Sequence, residues 1–431
     1  MKIKVQECSY AEAMAKPGFP RFSPHRPNLL FRTLTYLAGL PELKETDFHC
    51  TRTGMERLEK HRPCLYLMNH SSFIDLKIAA HLLYPEPFQI VCTQDGFVGK
   101  LWLMKQLGGI PKKKFVPELQ LIRDMLYSFR KLRSSVLMYP EASYSFDGTG
   151  TPLPDSLGQC LKLLAVPVVM IRTEGAFTRD PLYNGLQPRR VSVSAEMKYL
   201  LSPEEIAQMS PDELNEVLRR EFDVDYFRWQ REKKISVTEP FRADYLHRVL
   251  YKCPACGRED SMQGVGTRLR CRACGHEWEL DEYGQLADLS GGSFFSHIPD
   301  WYAWERACVR QEIDDGSYRM ECGVGICVMT DYKSIYRVGQ GTLLHTPEGF
   351  RLSGCGGQLD YVQPPQASYS LYADYYWYEL GDMICIGDTQ RSYYCFPQEA
   401  SLPVAKARIA TEELYKRTQA AKRKKHAGNA R

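Results

Sequence analysis

Over roughly the first 240 residues, short continuous apolar runs alternate with stretches of helical character. Leu65-Tyr66-Leu67-Met68, Ser135-Val136-Leu137-Met138-Tyr139 and Val166-Pro167-Val168-Val169-Met170-Ile171 are each followed by polar residues. Runs of this length without alternation predict strands buried on both faces, with chemistry presented at their carboxyl ends. Ser202-Pro203-Glu204-Glu205 and Ser210-Pro211-Asp212-Glu213 predict helix starts, with proline at the first helical position and acids in the first turn. The alternation predicts an α/β domain over residues 1–240.

The pattern then changes twice. Residues 248–283 form a compact stretch with two cysteine pairs, and Leu289-Ser290-Gly291-Gly292-Ser293 reads as a linker. Residues 294–420 are rich in β-branched and aromatic positions. Strands are predicted over 323–330, 334–338, 341–345, 349–352, 369–380, 383–386 and 392–396, with turn chemistry at Thr346-Pro347-Glu348-Gly349. A helix from about Pro403 carries Val404, Ala407, Ala410 and Leu414 on one face. Strands closed by a final helix resemble a β-barrel-like, pleckstrin-homology-like domain. Residues 421–431, with Lys422, Arg423, Lys424 and Lys425, are expected to be a basic flexible tail.

A chain of 431 residues is too long for one ordinary core, in keeping with several domains. Its 44% hydrophobic and 25% charged content is that of folded proteins, and a net charge of +4 does not announce a nucleic-acid binder. The 15 cysteines are odd in number and scattered except for one quartet, which fits a reducing cytoplasm better than a secreted disulfide framework. The start has no signal-type apolar segment, and no uncharged apolar run approaches the roughly 20 residues that span a bilayer. A membrane role is therefore expected to be peripheral.

Asn69-His70-Ser71-Ser72-Phe73-Ile74-Asp75 follows directly on a predicted strand. A histidine there stands at the mouth of the sheet and accepts a proton near neutral pH. Within one regular helix the side chains of residues 70 and 75 would point about 140° apart. If the chain turns at Ser71-Ser72 first, Asp75 can swing back, hold one ring nitrogen and leave the other for a hydroxyl proton. The spacing has a second reading, because Ser72-x-x-Asp75 is also a helix-start pattern.

His70-x4-Asp75 after a short strand resembles the first motif of the glycerolipid acyltransferase family, whose PlsC-like members acylate 1-acylglycerol-3-phosphate. Gly108-Gly109-Ile110-Pro111-Lys112-Lys113-Lys114 resembles the second motif, with Lys114 in the place of an arginine. Tyr139-Pro140-Glu141-Ala142-Ser143-Tyr144-Ser145 resembles the third, Phe-Pro-Glu-Gly-Thr-Arg-Ser, and Val166-Pro167-Val168-Val169 the fourth. The resemblance implies that His70 is a general base oriented by Asp75, that a lysolipid hydroxyl attacks an acyl thioester directly, and that no acyl-enzyme forms. It places Lys114 and Glu141 at acceptor-binding positions, with Lys112, Lys113 and Ser143 beside them as substrate-binding candidates. Glu141 also reads as a cap or turn residue, and the lysines as a solvated loop. Lys114 keeps the arginine's charge without its planar fork, and Tyr144 replaces a basic residue outright, which puts a simple phosphate headgroup in doubt.

Cys253-Pro254-Ala255-Cys256 and Cys271-Arg272-Ala273-Cys274 have the spacing Cys-x2-Cys-x14-Cys-x2-Cys, which fits a zinc ribbon. Four thiolates close the coordination sphere, so the expected Zn2+ is structural. The expected co-substrate is acyl-coenzyme A or an acyl-acyl carrier protein, and the expected partners are a membrane lipid acceptor and the membrane surface. Residues 29–37 are a candidate amphipathic anchor, with Arg26 and Arg32 available to anionic headgroups, or else a core helix. Nucleic-acid binding is not expected, and the expected location is cytoplasmic, peripheral on the inner face of the membrane. The competing reading is a non-catalytic lipid-binding or scaffold protein with an acyltransferase-like domain.

Overall fold

The structure is a computed structural model that describes residues 3–115, 119–185, 187–388, 390–398 and 404–429, with side chains described as far as Arg423. The chain forms two compact units. One comprises residues 21–242 and 281–285, and the other residues 1–20, 243–280 and 286–431. The boundaries differ from the predicted ones at the start of the chain. Strand β1 (Val5–Glu7) and helix α1 (Tyr10–Met14) group with the C-terminal unit and not with the α/β unit.

The α/β unit begins with α2 (Leu29–Glu45) and β2 (His49–Thr53), followed by β3 (Leu65–Met68), α3 (Asp75–Leu83) and β4 (Phe88–Thr93). Next come α4 (Leu101–Gln106), β5 (Gly109–Lys112), α5 (Leu119–Arg130), β6 (Ser135–Met138), α6 (Leu157–Leu164) and β7 (Val168–Glu174). It closes with α7 (Ala176–Arg179), β8 (Ser194–Leu201), α8 (Pro203–Gln208), α9 (Pro211–Glu221) and α10 (Tyr226–Glu232). The sheet order is β2-β8-β7-β3-β6-β4-β5. Strands β7, β3, β6, β4 and β5 run parallel, while β8 is antiparallel to β7 and parallel to β2.

The continuous apolar strands are needed because both faces of this sheet are covered. Leu65, Leu67, Val136, Met138, Val168 and Met170 face one core, which also holds Met125, Phe129, Leu161 and Leu214 from the helices. Tyr66, Met68, Leu137, Val169 and Ile171 face the other, with Leu43, Ile74 and Ile78. Helices α8 and α9 start as expected. Ser202 and Ser210 each accept the amide of the glutamate three residues on, and each glutamate closes a capping box.

In the other unit, β9 (Met262–Val265), β10 (Arg268–Cys271), β11 (Glu277–Leu280) and β12 (Leu286–Asp288) form a four-stranded antiparallel sheet. Helix α11 (Ile298–Asp314), absent from the predicted elements, precedes the β-rich part. That part contains β13 (Met320–Met329), β14 (Ile335–Thr346), β15 (Gly349–Gly354), β16 (Leu359–Gln363), β17 (Tyr372–Trp377), β18 (Gly381–Gly387) and β19 (Ser392–Pro397). Their order is β16-β15-β14-β13-β19-β18-β17, every pair antiparallel, with β1 pairing parallel to β14.

Two predicted strands, 334–338 and 341–345, are one strand, because Val338 bulges where the register shifts and pairing resumes at Gly339. Gly341 permits the close approach of β15, since a Cβ there would lie 2.2 Å from the Ser353 carbonyl oxygen. The predicted turn at Thr346 to Gly349 does join β14 to β15.

Helix α12 (Val404–Asn429) buries Val404, Ala407, Ala410 and Leu414, the face expected from their spacing. Its predicted start at Pro403 lies outside the described residues. The backbone stays helical to Asn429, so the segment expected to be a flexible tail from residue 421 continues the helix instead. The side chains of Lys424 and Lys425 lie outside the description.

Candidate active site

The chain leaves β3 at Met68 and turns through Asn69-His70-Ser71-Ser72 before α3 opens at Asp75. That turn removes the obstacle posed by helical spacing. Asp75 Oδ2 accepts the amides of Ser71 at 2.9 Å and Ser72 at 3.1 Å, and it lies 3.1 Å from His70 Nδ1. The helix-start reading is met only in part: the N-cap of α3 is Ile74 with no side-chain cap bond, although the carboxylate does accept the Ser72 amide ahead of the helix. A carboxylate at Nδ1 keeps the proton on that nitrogen and leaves the Nε2 lone pair to act as the acceptor.

The imidazole is fixed on its faces as well. The Tyr139 ring stacks on it with centroids 4.2 Å apart, and the Tyr144 ring lies at 4.0 Å. Both planes are within about a third of a right angle of parallel, at 26° and 31°. Two rings cannot share one imidazole face at that spacing, so one lies on each side. The His70 side chain keeps 18% exposure, while Asp75 is buried at 1%. Burial pushes the His70 pKa below its ordinary value, and the Lys114 ammonium adds to this. The Asp75 hydrogen bond and charge offset part of the shift. The imidazole is therefore neutral, the form a base requires, at neutral pH.

Glu141 follows β6 and is buried. Its Oε2 accepts the His70 amide at 2.8 Å and its Oε1 the Thr151 amide at 2.8 Å. The side chain thus ties the loop after β6 to the loop after β3. Burial pushes its carboxyl up to about 7 against these two hydrogen bonds, and Asp75's charge adds to the rise. An acid with a raised native pKa contributes stability that is full below its unfolded value, about 4.3, and lost as pH rises through the native value. Asp180, also pushed up to about 7, contributes with the same sign. The thermal midpoint of the chain is thus expected to fall as pH rises from about 4 to about 7 and to level off above that. In Glu141→Gln the slope should be shallower, and stability lower by about 1–3 kcal/mol because an amide NH2 faces a buried donor. Equal slopes in melts recorded across that range would contradict this.

The other expected site residues divide. Lys112 ends β5 and donates to the Lys113 carbonyl at 3.2 Å. Lys113 is buried, which sets aside the solvated-loop alternative for that residue. Lys114 is half-buried and close enough to influence His70. Ser143 is buried, and among the described residues its hydroxyl has no hydrogen-bond partner. Residues not singled out beforehand complete the surroundings. Asn69 Oδ1 accepts the Thr173 amide at 2.8 Å and its Nδ2 donates to the Thr173 carbonyl at 3.1 Å, which pins the start of the turn to β7. Ser72 Oγ donates to Asp180.

In the other unit, Cys253, Cys256, Cys271 and Cys274 bring their Sγ atoms within 4.8 Å of one another. Cys253 and Cys274 are 3.8 Å apart, and Cys256 and Cys271 3.7 Å. A tetrahedron with metal–sulfur bonds of 2.3 Å has edges of about 3.8 Å. The donor set and spacing both fit zinc.

Comparison with known proteins finds similarity to acyltransferases. A family model described as Acyltransferase matches residues 49–173, from β2 nearly to the end of β7. The curated chloroplastic 1-acyl-sn-glycerol-3-phosphate acyltransferase BAT2 of Brassica napus is 30% identical over 128 residues, which is 28% of this chain and 36% of that protein. The chain thus spans about a third of the length of that relative. Among solved structures, the 1-acyl-sn-glycerophosphate (LPA) acyltransferase PlsC from Thermotoga maritima is similar at 17% identity and a TM-score of 0.31, over 44% of this chain and 77% of that one. The segment holding His70, Asp75 and Glu141 thus matches the Acyltransferase family model and is similar to a 1-acyl-sn-glycerol-3-phosphate acyltransferase.

Proposed function

We propose that the chain is a peripheral membrane acyltransferase that moves a fatty acyl group from an acyl thioester to the free hydroxyl of a lysophospholipid or 1-acylglycerol-3-phosphate. The observation that carries this reading is the contact between His70 Nδ1 and Asp75 Oδ2 at the carboxyl end of a sheet strand. Nε2 takes the hydroxyl proton as the oxygen bonds to the thioester carbonyl carbon. The carbon–sulfur bond then breaks, and the thiolate leaves with the proton returned by the imidazolium. Glu141 holds the backbone of His70, and Lys114 and Ser143 are the acceptor-side candidates. The donor is a coenzyme A or acyl carrier protein thioester.

A lipid surface fits the exposed apolar residues of this unit. Leu29, Leu30, Leu34 and Leu37 on α2 are 51–61% exposed, and only Gly39 and Leu43 of that helix are buried. These leucines are therefore not the core of a packed helix. Trp102, 65% exposed, meets Phe31 edge-on with ring centroids 5.6 Å apart. Among the described residues no helix is long and apolar enough to cross a membrane. The reading places the protein on the cytoplasmic face of the membrane, held at the interface. Leu30→Glu/Leu34→Glu is expected to cut sedimentation with anionic vesicles at least tenfold, about 1.4 kcal/mol, without lowering the thermal midpoint. Unchanged sedimentation would remove α2 from the interface.

In the other unit, the four thiolates hold a structural zinc. The strand order 4-3-2-1-7-6-5 of β13 to β19, followed by a helix, supports the pleckstrin-homology-like reading. A second reading, a lipid-binding scaffold without turnover, is favoured by Tyr144 stacking on His70 in the position of a basic residue. Incubating the purified chain with labelled acyl-coenzyme A and a panel of lysolipids separates the two. A diacyl product supports transfer, and lipid binding with no product from any acceptor supports the scaffold.

A further inference from the structure

The turn that carries Asp75 is held from behind by groups to which acyl transfer assigns no role. Ser72 Oγ donates to Asp180, just after α7, while also accepting the Ile74 amide at 3.2 Å. Arg179 Nη1 lies 3.4 Å from Asp180 Oδ2, and its Nη2 lies 3.0 Å from Glu42 on α2. Lys77 of α3 pairs with the same glutamate. Ser72, Arg179 and Asp180 are all buried. A buried ion pair is seldom better for stability than apolar packing of the same volume, and one role such pairs serve is to fix a single geometry.

Ser72 supplies that role. Its amide is one of the two donors that fix Asp75 Oδ2, so any rotation of Ser72 moves a donor away from the carboxylate that aligns the imidazole. We infer that Asp180 is a positioning residue for the His70–Asp75 pair: it anchors Ser72 through the hydroxyl, and Arg179 and Glu42 hold Asp180 in turn. The inference rests on His70 being the base of acyl transfer. It predicts an effect on the chemical step and not on binding, because Asp180 acts only through the turn.

The test uses the purified full chain with acyl-coenzyme A and lysophosphatidate, comparing wild type, Ser72→Ala, Asp180→Ala, Asp180→Asn and the double variant Ser72→Ala/Asp180→Ala. Asp180→Ala is expected to lower kcat about tenfold to a hundredfold, the cost of a small misplacement, with KM for both substrates little changed. Asp180→Asn, whose amide oxygen still accepts the Ser72 hydroxyl, should recover most of the loss. The double variant should be no worse than the poorer single one, because both losses run through one bond. A folded Asp180→Ala with wild-type kcat, a loss confined to KM, or losses that multiply would overturn the inference while leaving acyl transfer standing. If Asp180→Ala does not fold, the other two variants decide. Activity kept in Asp180→Asn and lost in Ser72→Ala supports the inference, and any other pattern overturns it. A wild type with no transfer would overturn the acyl-transfer reading and this inference with it.

Discussion

His70→Ala is expected to lower kcat for acyl transfer about 10²–10⁴-fold, the usual contribution of a positioned base. The alanine leaves the thioester and the acceptor where they bind but gives the hydroxyl proton nowhere to go, so KM should move little. Asp75→Asn tests a separate part of the arrangement. Its amide oxygen, placed where Oδ2 stands, can still accept the Ser71 and Ser72 amides and meet the protonated Nδ1, because all three contacts are made by that one oxygen, but it lacks the carboxylate charge that stabilises the imidazolium as it forms. The loss should therefore reach a similar order to that in His70→Ala. Burial places the His70 pKa below the ordinary histidine value of about 6.5. Activity limited by this base should rise with pH through that lowered pKa and be level above it. An acid limb lying above the ordinary histidine range would assign the titrating base to another group. Glu141, pushed up to about 7, would be the first to examine by repeating the profile in Glu141→Gln.

Removal of zinc is expected to have the largest effect on stability. The β9–β12 sheet buries few large side chains, among them Met262, Leu269, Trp278 and Leu280. On the proposed reading a core that small depends on the metal, whose binding in comparable sites is worth about 10–16 kcal/mol at neutral pH. The loss should extend beyond the ribbon. Glu305 of α11 accepts the Lys252 amide at 2.8 Å, and Trp301 of α11 donates to the Lys252 carbonyl at 3.0 Å, both immediately before Cys253. Trp301 also packs on Trp278, with centroids 4.8 Å apart. Prolonged chelation, or Cys253→Ser with Cys271→Ser, should release one equivalent of zinc by elemental analysis and lower the melting transition of that unit by tens of degrees. Full retention of the transition with no metal bound would show that the four thiols are not a metal site.

Much of the site could be read from the chain because its determinants are local. His70, Ser71, Ser72 and Asp75 fall within six positions, and a turn at the serines is enough to bring imidazole and carboxylate together. The cysteine quartet is legible for the same reason: each pair sits on one tight turn. What escaped notice depends on partners far along the chain. The pairing of β1 with β14 joins Val5 to Ile335, and nothing near Val5 announces it. Asp180 meets Ser72 across 108 positions, and Glu42 meets Arg179 across the sheet's connections. Helix α11 had a signal that went unread, with Pro299 in its first turn and Ile298, Trp301, Tyr302, Glu305 and Val309 on its buried face. The charged member of that face, Glu305, breaks the apolar pattern. The burial of Lys113, just after β5, shows the limit of reading a lysine run as a solvated loop.

The most direct measurement is a single turnover of labelled acyl thioester on the purified chain, with and without lysophosphatidate, followed by intact mass of the protein and by lipid analysis. Direct attack by a hydroxyl that gives its proton to His70 predicts diacyl product only when acceptor is present, formed about 10²–10⁴-fold more slowly by His70→Ala, and an unmodified protein throughout. An acyl adduct on the chain, or product formed equally well without His70, would contradict it.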